Sequence, residues 1–261
     1  MTMILGLDVG SNKVRGALVR TSLRRIEVLR FLESDVHPLG EDGSLKAAQR
    51  LAVDDLMERL QSRPEMVLSA VGGDKVSLRR VGIPMAAAKR ASDVLPFELE
   101  PYLPFATEDA IIDHQTITEA DGELHLLTVA TPRELIEEEL ASARALGFDP
   151  RELSVAPVAL EGLASFLRSG TEAPEDDGVQ EEGPALVIRV EGQQTDLCML
   201  AEGRCALART ASEGTDTIHE RPEAMQRAIR QTFAKFRSEG GAKPVRAWVC
   251  GDCADDPEMV A

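Results

Sequence analysis

For its size this chain is poor in positive charge: 29 Lys and Arg stand against 45 Asp and Glu, a formal net charge of −16. That imbalance argues against nucleic acid as a partner, because neutralising phosphates takes clustered cations. An electrostatic hold on anionic lipid is disfavoured for the same reason. Long apolar runs are missing too. No stretch approaches the roughly 20 residues that a membrane-spanning helix needs, and the N-terminus lacks the pattern of a signal peptide. A cytoplasmic location is therefore expected, which makes the four cysteines thiols rather than disulfides. His37, His114, His125 and His219 are scattered, and none has a partner at metal or triad spacing. Aromatics make up only 3% of an otherwise ordinary globular composition. At 261 residues the chain can bury a substantial core, as one large or two smaller domains.

The most informative segment that is present lies at the N-terminus. Residues 4–16 read Ile-Leu-Gly-Leu-Asp-Val-Gly-Ser-Asn-Lys-Val-Arg-Gly. An apolar strand passes through Asp8-Val9-Gly10-Ser11 into a second apolar strand, Val14 to Val19. Such a turn suits a phosphate-facing loop. Gly10 lets backbone approach a ligand, Ser11 and exposed N–H groups can hydrogen-bond an oxyanion, and Asp8 can hold a hydrated Mg²⁺. A plain β-hairpin with a polar turn is the competing reading. Residues 1–30 also reverse the overall charge, with six bases (Lys13, Arg15, Arg20, Arg24, Arg25, Arg30) against Asp8 and Glu27.

Downstream, a third strand is expected over Ile26 to Leu32, a helix over 45–61 from the spacing of Ala48, Leu51, Ala52, Leu56 and Leu60, and strands over Met66 to Val71 and Val76 to Ile83. A helix over 86–99 and strands over 110–117 and 123–130 follow, the latter two flanking the turn Ala120-Asp121-Gly122. Thr131-Pro132 opens an acidic helix to Leu146, with Gly147 as its stop. A strand near 153–156 leads into a helix over 158–168. Residues 169–184, with six acids and no base between Glu172 and Glu182, read as a solvated linker. Strands over 185–191, 195–201 and 204–210, a helix over 222–238 and a strand over Val245 to Cys250 complete the chain. Strand triplets followed by helices thus occur twice, which implies two related α/β halves.

Together these features resemble the actin-like ATPase superfamily, whose ribonuclease H-like fold closes two α/β halves over a nucleotide. Each half supplies an Asp/Gly phosphate hairpin. More narrowly, the chain resembles the bacterial branch containing the pilus assembly protein PilM and the cytoplasmic part of type II secretion protein L (GspL). Three passages carry this: Leu7-Asp8-Val9-Gly10-Ser11 with Val14-Arg15-Gly16; Leu95-Pro96-Phe97-Glu98-Leu99-Glu100-Pro101-Tyr102-Leu103-Pro104-Phe105 with Ile112-Asp113-His114-Gln115; and Leu127 to Leu163, with its Ala130-Thr131-Pro132-Arg133-Glu134-Leu135 helix start and Gly147-Phe148-Asp149-Pro150. The stretch Ser22 to Val28 favours the secretion protein within that branch. The resemblance implies a first half over 1–84 that continues at about 156–170, and a small inserted α+β subdomain over 85–155. It further implies the acidic linker over 171–183 and a second, shortened half over 184–261.

For the site, the resemblance implies ATP with Mg held by Asp8, Gly10, Ser11 and Asn12 at the phosphates, with Lys13 assisting and Gly251 nearest the base. The second hairpin departs from the pattern, since its expected Asp-x-Gly positions hold Arg189 and Glu191. The missing Asp would help hold metal and position an attacking water, and the missing Gly would admit the phosphates. Arg189 could pair with a phosphate, but a carboxylate at 191 would repel one. A Gly-Gly pair expected after the last strand reads Gly251-Asp252. Impaired hydrolysis is therefore expected.

The function this implies is a non-catalytic cytoplasmic scaffold, peripheral to the inner membrane, in a type II secretion platform. Its partners would be the N-terminal domain of the secretion assembly ATPase and neighbouring inner-membrane platform proteins, with a homodimer left open. The alternative is an ATP-binding protein of the PilM or FtsA kind. Cys250-Gly251-Asp252-Cys253 also has a redox reading, but a thioredoxin-like unit needs strands and helices after the motif. Zinc held with Cys198 and Cys205 lacks the usual short spacing. Phe97, Tyr102 and Phe105 are either core or the lining of a groove for a partner.

Overall fold

The structure is a computed structural model that describes residues 1–22, 25–37, 44–170, 183–218 and 220–252. Most of the expected acidic linker, His219 and Cys253 lie outside the described residues. In chain order the elements are β1 (Thr2–Val9), β2 (Lys13–Ser22), β3 (Arg25–Asp35), α1 (Leu45–Leu60), β4 (Met66–Val71), β5 (Ser77–Pro84), α2 (Ala91–Leu99), β6 (Ala110–Ala120), β7 (Glu123–Pro132) and α3 (Arg133–Ala145). They continue with β8 (Glu152–Val155), α4 (Ala156–Gly170), β9 (Ala185–Val190), β10 (Thr195–Ala201), β11 (Arg204–Ala211), α5 (Thr215–Ile218), α6 (Pro222–Ser238) and β12 (Arg246–Gly251). The helix expected over 86–99 is divided. Met85–Arg90 forms a 3₁₀ segment and only Ala91–Leu99 is α-helical, with no side chain capping the start of either piece.

The chain forms two compact units, 1–71 with 134–154 and 72–133 with 155–261. The first is a five-stranded sheet in the order β3-β2-β1-β4-β8. Its β1–β2 hairpin is antiparallel, with Leu5 opposite Leu18, Leu7 opposite Gly16 and Val9 opposite Val14. Side chains alternate across a strand, so Leu5, Leu7, Val14 and Leu18 share one face, where they are buried with Ala52, Leu56, Leu146 and Phe148. Gly16 makes room for α1, since a Cβ there would stand 2.9 Å from a methyl carbon of Leu56. The Ser44 hydroxyl caps α1 by accepting the Ala47 N–H. Asp8 and Arg15 fall on the other face of the same hairpin.

The second unit holds a four-stranded sheet, β11-β10-β9-β12, and a three-stranded one, β5-β7-β6. Leu197, Met199 and Cys205 form its main core with Leu160 and Ala164 of α4, Phe236 of α6, and Ile117 and Leu127 of the small sheet. A smaller cluster packs Leu95 and Leu99 of α2 on Ile83, Leu124 and Leu126. The two larger sheets share a topology. β9 pairs antiparallel with β10 and parallel with β12, as β1 pairs antiparallel with β2 and parallel with β4. The two related halves expected from the order of elements are thus visible in strand pairing.

Sheet membership draws boundaries that differ from the sequence expectation. β5 is registered along its whole length on β7, from Ser77 opposite Ala130 to Pro84 opposite Glu123, so the inserted part takes in residues 72–133 rather than 85–155. β8 joins the sheet of β1, which returns the chain to the first unit from Glu134. α4 packs on β9, β10 and β11 rather than continuing the first half. A strand joins the sheet that its register and apolar face fit, and local periodicity does not encode which sheet that is.

Candidate functional site

The first hairpin carries five of the six expected ligand-binding residues. Asp8 is the penultimate residue of β1, Gly10, Ser11 and Asn12 form the turn, and Lys13 opens β2. The turn is tied down on three sides. Gly10 N–H donates to the Lys13 carbonyl at 2.9 Å, and Val36 N–H donates to the Asn12 carbonyl at 2.8 Å. Gln49 Nε2 of α1 donates to the Gly10 carbonyl at 3.0 Å. The adjacent charges are balanced. Register places Asp8, Arg15 and Glu33 in one row across β1, β2 and β3. Arg15 Nε donates to Glu33 at 2.8 Å, Lys13 Nζ lies 3.3 Å from the same carboxylate, and an Arg15 nitrogen stands 4.0 Å from Asp8. The Arg15 hydrogen bond, reinforced by Lys13, holds the Glu33 carboxyl below its ordinary value of 4.5. Two cations thus face two half-exposed carboxylates. The charge of Asp8, which a metal would need, is partly compensated by Arg15.

The β9–β10 hairpin repeats this geometry with the charges exchanged. Its turn closes through Glu191 N–H to the Gln194 carbonyl at 2.9 Å, as Gly10 closes on Lys13. Counting from that bond, Arg189 takes the place of Asp8, Glu191 that of Gly10, and Asp196 that of Arg15. Arg189 stands opposite Asp196, as Asp8 stands opposite Arg15. The exchanged pair is buried. Asp196 is fully buried and Arg189 16% exposed, with Arg189 Nη2 3.1 Å and Nε 3.2 Å from Asp196 Oδ2. The Thr210 hydroxyl donates to the other carboxylate oxygen at 2.5 Å, and Glu191 lies 3.9 Å from Arg189. Arg189 therefore faces the protein's own carboxylates, which compete with any phosphate for its charge.

The turn itself is also covered. Thr215 and Asp216 N–H groups at the start of α5 donate to the Glu191 and Gly192 carbonyls, both at 2.8 Å. Only glycine fits at 214, where a Cβ would stand 2.1 Å from the Glu191 carbonyl oxygen. Glutamate at the Gly10-equivalent position puts a side chain where the first hairpin has none. The sequence flagged Arg189 and Glu191 by position alone. It gave no sign of Thr210, Gly214 or the buried role of Asp196, because these meet the hairpin across strands and loops.

Gly251, the sixth expected residue, ends β12 opposite Val190, in the second unit. Its φ is +97°, and a Cβ there would stand 2.2 Å from the Val190 carbonyl oxygen. That carbonyl accepts the Asp252 N–H at 2.8 Å. The close approach alone requires glycine, whatever else the position does. Cys198 and Cys205 are buried thiols with sulfurs 3.2 Å apart, and the Cys205 contact together with burial raises Cys198 well above the usual thiol range. A thiol held protonated, as Cys198 is, makes a poor nucleophile and a poor metal ligand. Phe97 and Tyr102 are exposed, at 74% and 58%, while Phe105 packs against the α2 cluster, so the aromatic run divides between surface and core.

A repeated sheet of antiparallel hairpins with a parallel fourth strand matches the actin-like ATPase fold. Comparison with known structures agrees. The chain is similar to a chain of a PilM-PilN type IV pilus biogenesis complex, at TM-score 0.73 and 18% identity over 95% of this chain and 81% of that one. It is also similar to a Bacteroides thetaiotaomicron protein with actin-like ATPase fold and unknown function, at TM-score 0.50 and 10% identity over 99% and 86%. The cytoplasmic domain of EpsL, an inner membrane component of the type II secretion system of Vibrio cholerae, matches at TM-score 0.49 and 14% identity over 81% and 71%, too low to add to the argument. No protein-family model and no curated protein matches the sequence. At these identities the likeness establishes the fold, and the fold is the actin-like one expected from sequence. Among the described residues, no helix is long and apolar enough to cross a membrane.

Proposed function

We propose that this chain is a non-catalytic actin-fold scaffold of a bacterial envelope machine of the type II secretion or type IV pilus kind. It would act at the cytoplasmic face of the inner membrane, holding the N-terminal domain of the assembly ATPase beside neighbouring platform proteins. The observation that carries this reading is the Arg189–Asp196 pair at the second hairpin. An actin-like ATPase needs a carboxylate and a glycine there to place metal, water and phosphate. This chain has a cation bound to a buried carboxylate and a glutamate in the turn. The sequence passages support the secretion side, and the likeness to a chain of a PilM-PilN complex supports the pilus side. The scaffold role is common to both.

Calorimetry of the full chain against two purified partners tests this: the N-terminal domain of the assembly ATPase from the same organism, and the cytoplasmic segment of a neighbouring platform protein. Saturable binding to either, unchanged by Mg-ATP, is the expected result. Failure to bind both at micromolar concentrations contradicts the scaffold. A second reading, an ATP-binding protein of the PilM or FtsA kind, draws on the first hairpin. There Asp8, Gly10, Ser11, Asn12 and Lys13 would meet the phosphates and a hydrated Mg²⁺, with Gly251 near the base.

A further inference from the structure

The two repeated sheets differ in one place. In the first, the order β3-β2-β1-β4-β8 puts a fifth strand beside β4. In the second, β11-β10-β9-β12, the outer edge of β12 has no partner strand among the described residues. The helices correspond as well, since α1 lies between β3 and β4, and α6 between β11 and β12. In the first half, the end of α3 and the turn into β8 complete the core. There Ala143, Leu146 and Phe148 are buried with Leu56 and Leu60 of α1. Arg151 N–H, at the entry to β8, donates to the Val67 carbonyl of β4 at 2.7 Å.

The corresponding place in the second half is a cavity. About 440 Å³ lies between α6 and the start of β12, with Leu186, Phe233, Phe236 and Ala247 as apolar walls. Its loop is fixed at both ends, because Gly241 N–H donates to the Phe236 carbonyl and Val245 N–H to the Pro184 carbonyl, both at 2.9 Å. Arg237, Lys243 and Arg246 border the cavity and no carboxylate does, in a chain of net charge −16. Among the described residues none of the three is in an ion pair, and Arg246 stacks 5.6 Å from the centre of the Trp248 ring. An open strand edge offers backbone groups to an extended chain, and pockets beside it select the side chains.

We infer that the outer edge of β12 takes an extended segment of a partner protein as the fifth strand of the second sheet. The segment's apolar side chains fill the cavity, and its carboxylates meet Arg237, Lys243 and Arg246. The occupant is a strand with apolar residues because the repeat fills this place with β8, Leu146 and Phe148. It is acidic because the border of the cavity is cationic. The inference goes beyond the scaffold reading and does not rest on it. Arg246 stands opposite Ala185, at the end of the sheet away from the Glu191 turn.

The test is fluorescence anisotropy of the full chain with three labelled peptides of six residues, the length of β12. They are Glu-Val-Glu-Val-Glu-Val, its counterpart with lysine for glutamate, and Glu-Val-Glu-Pro-Glu-Val, whose proline removes a ladder N–H. The first should bind and shift the emission of Trp248, the chain's single tryptophan, and the other two should not. Ala247→Phe, which fills the cavity, should abolish binding. Arg237→Gln with Lys243→Gln should weaken it about three- to tenfold, as loss of two exposed charge contacts does. All three residues are exposed, so an unchanged thermal melt separates these losses from unfolding. Equal binding of the glutamate and lysine peptides, equal binding of the proline peptide, or indifference to Ala247→Phe overturns the site. A dimer in sedimentation equilibrium that Ala247→Phe dissociates would give the edge to a second copy of this chain and overturn the partner assignment.

Discussion

The hairpins β1–β2 and β9–β10 have the same partners in their sheets and the same turn closure, yet they carry the same ion pair in opposite polarity. In the first, Asp8 faces Arg15 at 4.0 Å with its side chain 38% exposed; in the second, Arg189 faces Asp196 at 3.1 Å with the carboxylate fully buried. A pair 4.0 Å apart with a partly exposed carboxylate contributes little to stability. A buried, tightly held pair is committed to the fold, because neither charge can be left alone in the interior. One turn geometry thus carries a partly exposed ion pair in one half and a buried, tightly held one in the other.

The largest expected effect comes from breaking the lock. Arg189→Ala takes the cation away from the buried Asp196 carboxylate and should cost about 3–5 kcal/mol in denaturant unfolding. The double substitution Arg189→Met with Asp196→Leu should recover most of that loss. The corresponding Arg15→Ala in the first hairpin should cost less than about 1 kcal/mol, since its carboxylate partners are more than one-third exposed. Equal losses in the two hairpins would erase the contrast.

Next is Gly251→Ala, which forces a side chain onto the Val190 carbonyl at positive φ and should destabilise by about 1–3 kcal/mol. Melting the variant with and without Mg-ATP separates packing from ligand contact. A stable variant that has lost nucleotide binding would return Gly251 to the site.

The smallest effect concerns pH. Glu33 titrates below 4.5 in the folded chain because Arg15 and Lys13 favour its charged form. The stability this adds is complete above pH 4.5 and is lost as pH falls through the folded value. Glu33→Gln should therefore lower the melting temperature slightly at neutral pH and converge with the parent in acid. A gap that widened in acid would contradict the pairing. With its carboxylate 39% exposed, Glu33 should account for no more than a fraction of a kcal/mol.

Most of the element order was legible in the sequence, because Leu5, Leu7, Val14 and Leu18 alternate as a half-buried sheet requires, and Ala48, Ala52, Leu56 and Leu60 recur at helical spacing. The fold class was legible from the Asp8–Ser11 turn together with the repeated strand triplets. Less legible was anything fixed by strand pairing at long sequence separation. β5 reads the same whether it continues the first sheet or joins β7, and β8 is too short to declare a partner. At the second hairpin, Arg189 and Glu191 stood out as the wrong residues for a phosphate loop. That Arg189 would find Asp196, and that Gly214 would admit the start of α5 onto the turn, depended on contacts no local pattern records.

A second hairpin closed by the Arg189–Asp196 pair should not support ATP turnover. Steady-state phosphate release by the purified full chain with saturating Mg-ATP tests it most directly, with Asp8→Ala measured in parallel. Both proteins should show the same background rate. A clear turnover that Asp8→Ala abolishes would contradict it and make this chain an ATPase.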